Sequence, residues 1–221
     1  MEWIIHKVTN AGIYFLPLLI GVMAHEIAHG WAAERLGDPT ARLAGRISIN
    51  PLVHIDPLGT VVLPLMLYLL NAPFLFGWAK PVPVRMELLH GGRRGMARVA
   101  LCGPLTNLML AALSSLVYHG LMWSFRSAML GHGSRWFLEP LILMAGTSVA
   151  INLVLMIVNL VPIPPLDGGR ILVGLLPENA AVAVARLERY GMFIILLLIV
   201  TDVWSFLLGP LLQTLINIFL G

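Results

Sequence analysis

Three residues in one short stretch, His25-Glu26-x-x-His29, have the types and spacing that metal-assisted hydrolysis requires. Residues four apart lie on one face of a helix, so both imidazoles can reach one Zn²⁺. Glu26 stands beside them, where its carboxylate can act as the general base on the attacking water. The spacing therefore predicts one zinc ion per chain, with His25 and His29 as ligands and Glu26 as the catalytic residue.

A third zinc ligand must come from elsewhere, because catalytic zinc commonly has three protein ligands and one open position. Asp167 is the best candidate, within the stretch NLVPIPPLDGG that runs from Asn159 to Gly169. Its prolines interrupt a helix and its glycines allow a tight turn and a close backbone approach. The other interpretation of Asp167 is a turn that simply ends a helix.

Composition indicates the kind of protein that must position these residues. Of the 221 residues, 58% are hydrophobic and 11% are charged, against about 25% charged in a typical soluble domain. These values exclude a disordered chain and argue against an ordinary soluble enzyme. They predict an all-α polytopic membrane protein in the lipid bilayer, folded as one membrane-embedded domain over residues 1–221. The core is expected at about residues 10–175 and C-terminal helices at about 178–221.

The basic residues do not indicate nucleic-acid binding. The net charge is +3, and no basic run is longer than Arg93-Arg94. In a membrane protein, Lys and Arg instead mark cytoplasmic loops.

Apolar stretches predict four to six transmembrane helices, since a crossing takes about 20 mostly apolar residues. Four stretches meet this length, at about residues 11–31, 99–123, 138–161 and 191–208. Residues 59–76 are apolar but contain Pro64 and Pro73. Residues 211–220 are short, and Pro210 is expected to separate them from the preceding helix.

Two connections predict a small β-hairpin or edge strand near the active site. Residues 41–50 show an alternating pattern, and Pro81 and Pro83 within residues 78–84 forbid helix and suit an edge strand. Because the carbonyls of a transmembrane substrate helix are already hydrogen-bonded, an exposed edge could unwind it by adding it as a strand.

Together these motifs resemble the site-2 protease family of intramembrane zinc metalloproteases. The resemblance rests on the HExxH motif, on Gly103-Pro104-x-x-Asn107, and on the stretch that ends in Asp167-Gly168. The stretches NPLVHIDP at residues 50–57 and GWAKPVP at residues 77–83 resemble a compact subgroup without the PDZ or regulatory domain.

The resemblance implies an intramembrane zinc endopeptidase that hydrolyses peptide bonds within or near transmembrane segments of a protein or peptide substrate. Its role would be regulated intramembrane proteolysis or the clearance of signal-peptide remnants. The alternative is a non-proteolytic zinc-binding membrane protein or transporter. A transporter would need ionisable groups along a path across the membrane, whereas here they cluster near one face.

The resemblance also implies site residues. It implies the same three zinc ligands and the same base, and it implies that Asn159 and the loop containing Pro162 hold an unwound substrate segment. Asn107 is a further substrate-binding candidate, although it could instead form a helix–helix hydrogen bond. His54 could lie near the zinc as a hydrogen-bond donor or gating ligand, but a histidine that stabilises its turn by pairing with Asp56 is favoured.

The ligand set imposes a topology. His25 lies near the C-terminal end of the first predicted span and Asp167 lies just past the C-terminal end of the span at 138–161, so those two ends must face the same side of the membrane. Residues 59–76 are therefore expected to enter and return on one side or to lie at the interface, which places 11 of the 14 Lys and Arg residues on the side of the site. By the positive-inside rule this is the cytoplasmic face, of a prokaryotic cell membrane by resemblance.

Overall fold

The structure, a computed structural model, describes residues 2–70, 77–126, 132–201 and 203–221. Within these ranges the chain forms nine α-helices and no β-strand. The α-helices are α1 (Glu2–Arg35), α2 (Thr40–Leu43), α3 (Leu63–Leu69), α4 (Gly92–Arg126), α5 (His132–Asn159), α6 (Asp167–Leu175), α7 (Glu178–Arg186), α8 (Glu188–Val200) and α9 (Val203–Leu220). Turns of 3₁₀ helix lie at Pro51–His54 and Met86–Leu88, and a π-helical turn lies at Pro57–Val62.

Three of the described helices are long and apolar enough to cross a bilayer. They contain the segments Gly12–Arg35, Gly92–Arg126 and Phe137–Asn159, which agree with three of the predicted spans. Their outward side chains are large and apolar; Phe15 is 63% exposed and Leu116 is 71% exposed. An outer surface of this kind is typical of a chain whose solvent is lipid, so the prediction of a helical membrane protein is confirmed.

The predicted fourth span, residues 191–208, is not one helix. Helix α8 ends at Val200 and α9 begins at Val203, whereas Pro210 lies inside α9. The expected break at Pro210 was therefore wrong in position. Thr201 and the neighbouring Asp202 interrupt the apolar run, and such short polar residues favour helix ends over helix interiors. A proline is tolerated within an apolar helix that packs on neighbours, as α9 packs on α5.

The predicted β-hairpin does not form among the described residues. Thr40–Leu43 is helical, and the following residues run irregularly to the 3₁₀ turn at Pro51–His54. Residues 78–84 are extended, as their prolines require, but no strand pairs with them. Their backbone groups are bonded to side chains and to loop carbonyls instead, as described below.

The three spans pack through small residues. Helix α1 contacts both α4 and α5, and α4 contacts α5 and α6. Ala33 and Ala111 are fully buried, and a Cβ on Gly21 would lie 2.9 Å from the Asn152 side chain. Small residues allow this close approach, which is how apolar helices associate in a membrane without a hydrophobic driving force.

The C-terminal end of α1, the N-terminal end of α4 and the C-terminal end of α5 meet at one end of the molecule. The His90 backbone N–H donates to the Leu36 carbonyl (2.7 Å). Ala32, Ala33, Leu89 and Val99 form a buried apolar cluster beneath this contact. The HExxH motif near the end of α1 is thereby brought against the first turns of α4.

The segment that begins at Pro57 returns to its own starting point. The Trp78 N–H donates to the Gly59 carbonyl (3.1 Å), and the Lys80 N–H donates to the His54 carbonyl (2.9 Å). The Thr60 hydroxyl donates to the Trp78 carbonyl (2.8 Å). Residues 54–60 are therefore adjacent to residues 78–80, whereas residues 71–76 of the predicted re-entrant stretch lie outside the described residues.

Candidate metal centre

Three side chains converge at the end of α1. The Nε2 atoms of His25 and His29 lie 3.0 Å apart. The Oδ2 atom of Asp167 lies 3.1 Å from His25 Nε2 and 3.2 Å from His29 Nε2. All three residues are buried, with exposures of 5–7%. The structure thus brings together the three residues that the sequence predicts as ligands, from two elements 138 residues apart at their closest in the chain (29 to 167).

Asp167 reaches the histidines because the preceding loop folds tightly back. A Cβ on Gly168 would lie 2.2 Å from the Leu160 carbonyl oxygen, and one on Gly169 would lie 2.2 Å from the Pro164 nitrogen. Only glycine fits at these two positions, since either contact is far inside van der Waals distance. The chain can therefore turn sharply from α5 and begin α6 with the Asp167 carboxylate facing α1.

Each histidine is held in a defined tautomer. His29 Nδ1–H donates to the Val99 carbonyl (2.9 Å), and His25 Nδ1–H donates to Asn107 Oδ1 (2.6 Å). The Asn107 amide orientation is fixed, because its Nδ2 donates to Gly21 O and to the Asn152 side chain. A neutral imidazole with its proton on Nδ1 presents a lone pair at Nε2.

The three converging atoms are therefore two nitrogen lone pairs and a carboxylate oxygen. Asp167 Oδ2 is buried and has no hydrogen-bond partner in the described part of the chain. Its contacts with the two Nε2 atoms are at ion-pair distance but not in hydrogen-bond geometry. With both imidazoles neutral and protonated at Nδ1, three buried acceptors would repel one another, and a bound cation would remove that repulsion.

The space at this point fits a tetrahedral ion. Zinc bound at about 2.0–2.1 Å to each ligand requires ligand atoms about 3.3 Å apart, and the measured separations are 3.0–3.2 Å. Gly103 of α4 forms one wall of the site. A Cβ there would lie 2.5 Å from His29 Nε2 and 2.6 Å from His25 Nε2. A side chain at residue 103 would thus crowd both ligand atoms.

Glu26 lies next to the ligands and faces the extended segment of residues 78–84. Its Oε2 accepts a hydrogen bond from the Val82 backbone N–H (2.8 Å). Val82 is buried and is flanked by Pro81 and Pro83, which have no N–H to offer. The carboxylate is therefore oriented by the one backbone donor that lies between two prolines.

Arg46, a buried residue with 6% exposure, holds the extended segment by hydrogen bonds to its backbone. Its guanidinium donates to the carbonyls of Val53, Lys80 and Pro81. A planar guanidinium with five donors can tie several carbonyls at once. Arg46 thus connects the 3₁₀ turn at Pro51–His54 to the segment that contacts Glu26.

Asp38 anchors the far end of the same segment. Its fully buried carboxylate accepts from the Thr40 backbone N–H (2.9 Å), the Thr40 hydroxyl (2.5 Å) and the Arg85 backbone N–H (2.6 Å). Burial on its own would raise the pKa of this carboxyl, but the hydrogen bonds from Thr40 and Arg85 outweigh it, and the net effect lowers the pKa. Asp38 is therefore held as a carboxylate at neutral pH.

Comparison with known proteins agrees with this site. Residues 129–201 match the family model described as Peptidase family M50. The chain is 35% identical over 198 residues to the candidate zinc metalloprotease YwhC of Bacillus subtilis, covering 90% of this chain and 84% of that protein. The chain belongs to peptidase family M50. The predicted resemblance to the site-2 protease family is thereby confirmed.

More distant M50 relatives extend the similarity. The chain is 27% identical over 213 residues to the candidate zinc metalloprotease Rip2 of Mycolicibacterium smegmatis, covering 91% of this chain and 74% of that protein. It is 26% identical over 201 residues to Rip2 of Mycobacterium tuberculosis, covering 88% and 70% respectively. No solved structure matches the chain.

Of the other residues predicted for this site, Asn107 bonds to His25, whereas Asn159, Pro162 and His54 make no hydrogen bond to the three proposed ligands in the described part of the chain. The Asn159 amide donates to the Leu155 carbonyl one turn earlier (2.9 Å), and Pro162 is exposed. His54 is buried, but its Nε2 bonds to the Ser48 carbonyl (2.9 Å) rather than to Asp56. Asp56 instead accepts from backbone N–H groups at the start of the π-helical turn.

Sequence reasoning missed several residues that shape the site. Gly103 and Asn107 were noted as a motif, yet the motif did not reveal that both contact the histidines. Asn152 carried a signal, because a buried amide in an apolar helix is costly unless it has a purpose. Arg46 and Val82 carried no such signal, since their contacts depend on the path of an irregular loop.

Proposed function

We propose that this M50 protein is an intramembrane zinc endopeptidase that hydrolyses peptide bonds within or near transmembrane segments. The single observation that carries the proposal is the convergence of two imidazole lone pairs and an unpartnered carboxylate oxygen beside Glu26. The names of the relatives YwhC and Rip2, both described as candidate zinc metalloproteases, support the choice of zinc. We take residues 1–221 as one membrane-embedded domain.

The proposed ligands are His25, His29 and Asp167, each contributing one atom and leaving a fourth position open. A zinc ion bound there would polarise the scissile carbonyl and make its water a better nucleophile. Low exposure of all three ligands excludes bulk solvent, which strengthens electrostatic interactions with the reacting group.

Glu26 moves the proton in this proposal. Its carboxylate takes a proton from the attacking water and later delivers it to the leaving amine. The Val82 N–H occupies Oε2, which leaves Oε1 for the water. The contact therefore orients the base without removing its capacity to accept.

The substrate must be locally unwound before its peptide bond can reach the site. Strand addition on residues 78–84 is restricted, because the N–H groups of Lys80 and Val82 are already bonded and Pro81 has none. A substrate strand would rely on carbonyls of this segment or displace Glu26 from Val82. We propose that Asn159 and Pro162 contribute to holding the unwound segment, as the family resemblance implies.

We further propose that residues 59–76 are re-entrant and that the site faces the cytoplasm of a prokaryotic cell. The hydrogen bonds from Trp78 to Gly59 and from Lys80 to His54 support a segment whose two ends lie on one side. With that topology most Lys and Arg residues fall on the side of the site, as the positive-inside rule requires for a cytoplasmic face.

The alternative is a zinc-binding membrane protein that does not cleave peptides, and Glu26→Gln distinguishes the two. The variant keeps the side-chain shape and can still accept from Val82, but it cannot take a proton. Glu34→Gln is the matched control, because Glu34 lies on the same helix and pairs with Arg42 instead.

The measurement is the abundance of full-length membrane proteins in cells producing wild type, Glu26→Gln or Glu34→Gln, together with the zinc content of each purified chain. We expect substrates to accumulate uncut with Glu26→Gln only, while zinc stays bound. Cleavage by Glu26→Gln at the wild-type rate would reject Glu26 as the base. Zinc binding without any cleavage difference would favour the non-proteolytic alternative.

A further inference from the structure

Asn152 lies about two turns before the C-terminal end of α5, in an apolar stretch of the chain, and is 1% exposed. A buried amide inside a membrane-spanning helix is costly and needs all its hydrogen bonds satisfied. Asn152 meets this requirement: its Nδ2 donates to the Ser148 carbonyl (2.9 Å), and its Oδ1 accepts from Asn107 Nδ2 (2.9 Å).

The bond to Ser148 determines which way Asn152 faces. Because its nitrogen is used by a carbonyl on its own helix, its oxygen must point at α4. That oxygen and the Gly21 carbonyl of α1 are both acceptors, and both face Asn107. The nitrogen of Asn107 must therefore point toward them, and its oxygen must point toward His25.

This chain of hydrogen bonds determines which ring nitrogen of His25 carries the proton. With an acceptor at Asn107 Oδ1, the imidazole carries its proton on Nδ1 and presents a lone pair at Nε2. If Asn107 turned over, its amide N–H groups would face Nδ1 and force the proton onto Nε2. A protonated Nε2 cannot bind a metal ion.

We infer that Asn152 is a positioning residue for the metal centre, which acts through Asn107 to hold His25 in its metal-binding tautomer. The inference rests on the proposed zinc site. It assigns a role to a residue of the third span that touches neither the ligands nor the base, and it gives Asn107 a role in orienting a ligand instead of in binding substrate.

The test is the zinc affinity of the purified, detergent-solubilised full chain, measured by competition with a chelator. Asn152→Leu removes the acceptor and leaves Asn107 with Gly21 alone to orient it. Partners that orient metal ligands typically change metal affinity by about 10- to 100-fold, and we expect a loss of about 10-fold because Asn152 is one residue further out.

Two variants separate this role from simple helix packing. Asn152→Asp keeps an acceptor toward Asn107, and its protonated oxygen can replace Nδ2 as the donor to Ser148, so we expect affinity near that of wild type. Ser114→Ala breaks another α4–α5 hydrogen bond, between the Ser114 and Ser148 hydroxyls (2.8 Å), and leaves the Ser148 carbonyl and hydroxyl in place as acceptors for Asn152 Nδ2. We expect no change in zinc affinity for Ser114→Ala.

Equal zinc affinity of Asn152→Leu and wild type would overturn the inference, and so would an equal loss in Ser114→Ala. If Asn152→Leu does not fold, Asn152→Ala removes the same acceptor without added bulk and is judged by the same criterion. A wild-type chain that binds no zinc would instead reject the proposed metal centre itself.

Discussion

The metal centre and the segment that covers Glu26 are held in place by different kinds of contact. The centre is formed by side chains of α1, α4 and the start of α6, held by bonds between side chains or to a helix carbonyl. The cover, residues 77–85, has no regular secondary structure and is tied down by the side chains of Arg46, Asp38 and Glu26. The comparison teaches that the proposed ligands are placed by helix packing and the proposed base by a loop, so damage to one should leave the other largely intact.

The largest effect is expected from a methyl group at the wall of the metal centre. Gly103→Ala places a Cβ 2.5–2.6 Å from both Nε2 atoms, and displacing two ligands should cost more than the about 10- to 100-fold typical of outer partners. We expect zinc affinity to fall by at least about 100-fold in chelator competition.

Gly120→Ala is the control on the same helix, because a Cβ there meets nothing within 4 Å. It should bind zinc as wild type does. Undiminished zinc binding by Gly103→Ala would show that residue 103 does not lie against the metal-binding atoms of His25 and His29.

A smaller and separate effect is expected from the contact between the cover and the base. Val82→Pro deletes the N–H that Glu26 accepts, in a stretch where the flanking prolines already require extended backbone. A hydrogen bond to a charged group is worth about 1.5–3 kcal/mol, so cleavage should slow by about 10-fold or more. Zinc affinity should not change.

Val82→Ala keeps the N–H and shortens the buried side chain, which makes it the comparison for packing effects. The measurement is the cleavage rate of a substrate found with Glu26→Gln, together with zinc affinity. Equal cleavage rates for Val82→Pro and Val82→Ala would show that the Val82 backbone N–H does not contribute to the function of Glu26.

The smallest effect is expected at the outer anchor of the cover. Since folding lowers the pKa of Asp38, the carboxylate stabilises the folded state above the ordinary Asp pKa of about 4. That stability is lost as the pH falls through the lower, folded-state pKa. Susceptibility of residues 38–46 to an acid-active protease should therefore rise at low pH in wild type.

Asp38→Asn should already be susceptible at neutral pH and should show a flatter pH dependence. Zinc affinity at neutral pH should be the same in both proteins, because among the described residues Asp38 bonds to Thr40 and to the Arg85 backbone and to none of the proposed ligands. A variant with the wild-type pH dependence would exclude Asp38 as the anchor.

The same contrast explains how much the sequence could predict. The convergence of His25, His29 and Asp167 was predictable, because a helix fixes the i, i+4 spacing and because ionisable residues in an apolar background are costly unless they have a function. Three spans were predictable from length and apolar content. The end of α8 was misplaced, because Pro210 is a strong breaker in water but was accommodated within a packed apolar helix.

The path of the cover could not be predicted from the sequence, for a physical reason. Alternation in residues 41–50 predicted a strand, but a strand needs a partner, and Pro81 and Pro83 leave residues 78–84 too few N–H groups to provide one. Arg46 and Glu26 bond to that backbone instead. Such side-chain-to-backbone contacts depend on the loop path, which no periodicity encodes.

The most direct test of the metal centre is metal analysis of the purified wild-type chain combined with X-ray absorption at the zinc edge. We predict one zinc per chain, with two imidazole nitrogens at about 2.0–2.1 Å and a carboxylate oxygen at about 2.0–2.2 Å. A chain without zinc, or a zinc bound through the sulfur of Cys102, would contradict the assignment of His25, His29 and Asp167.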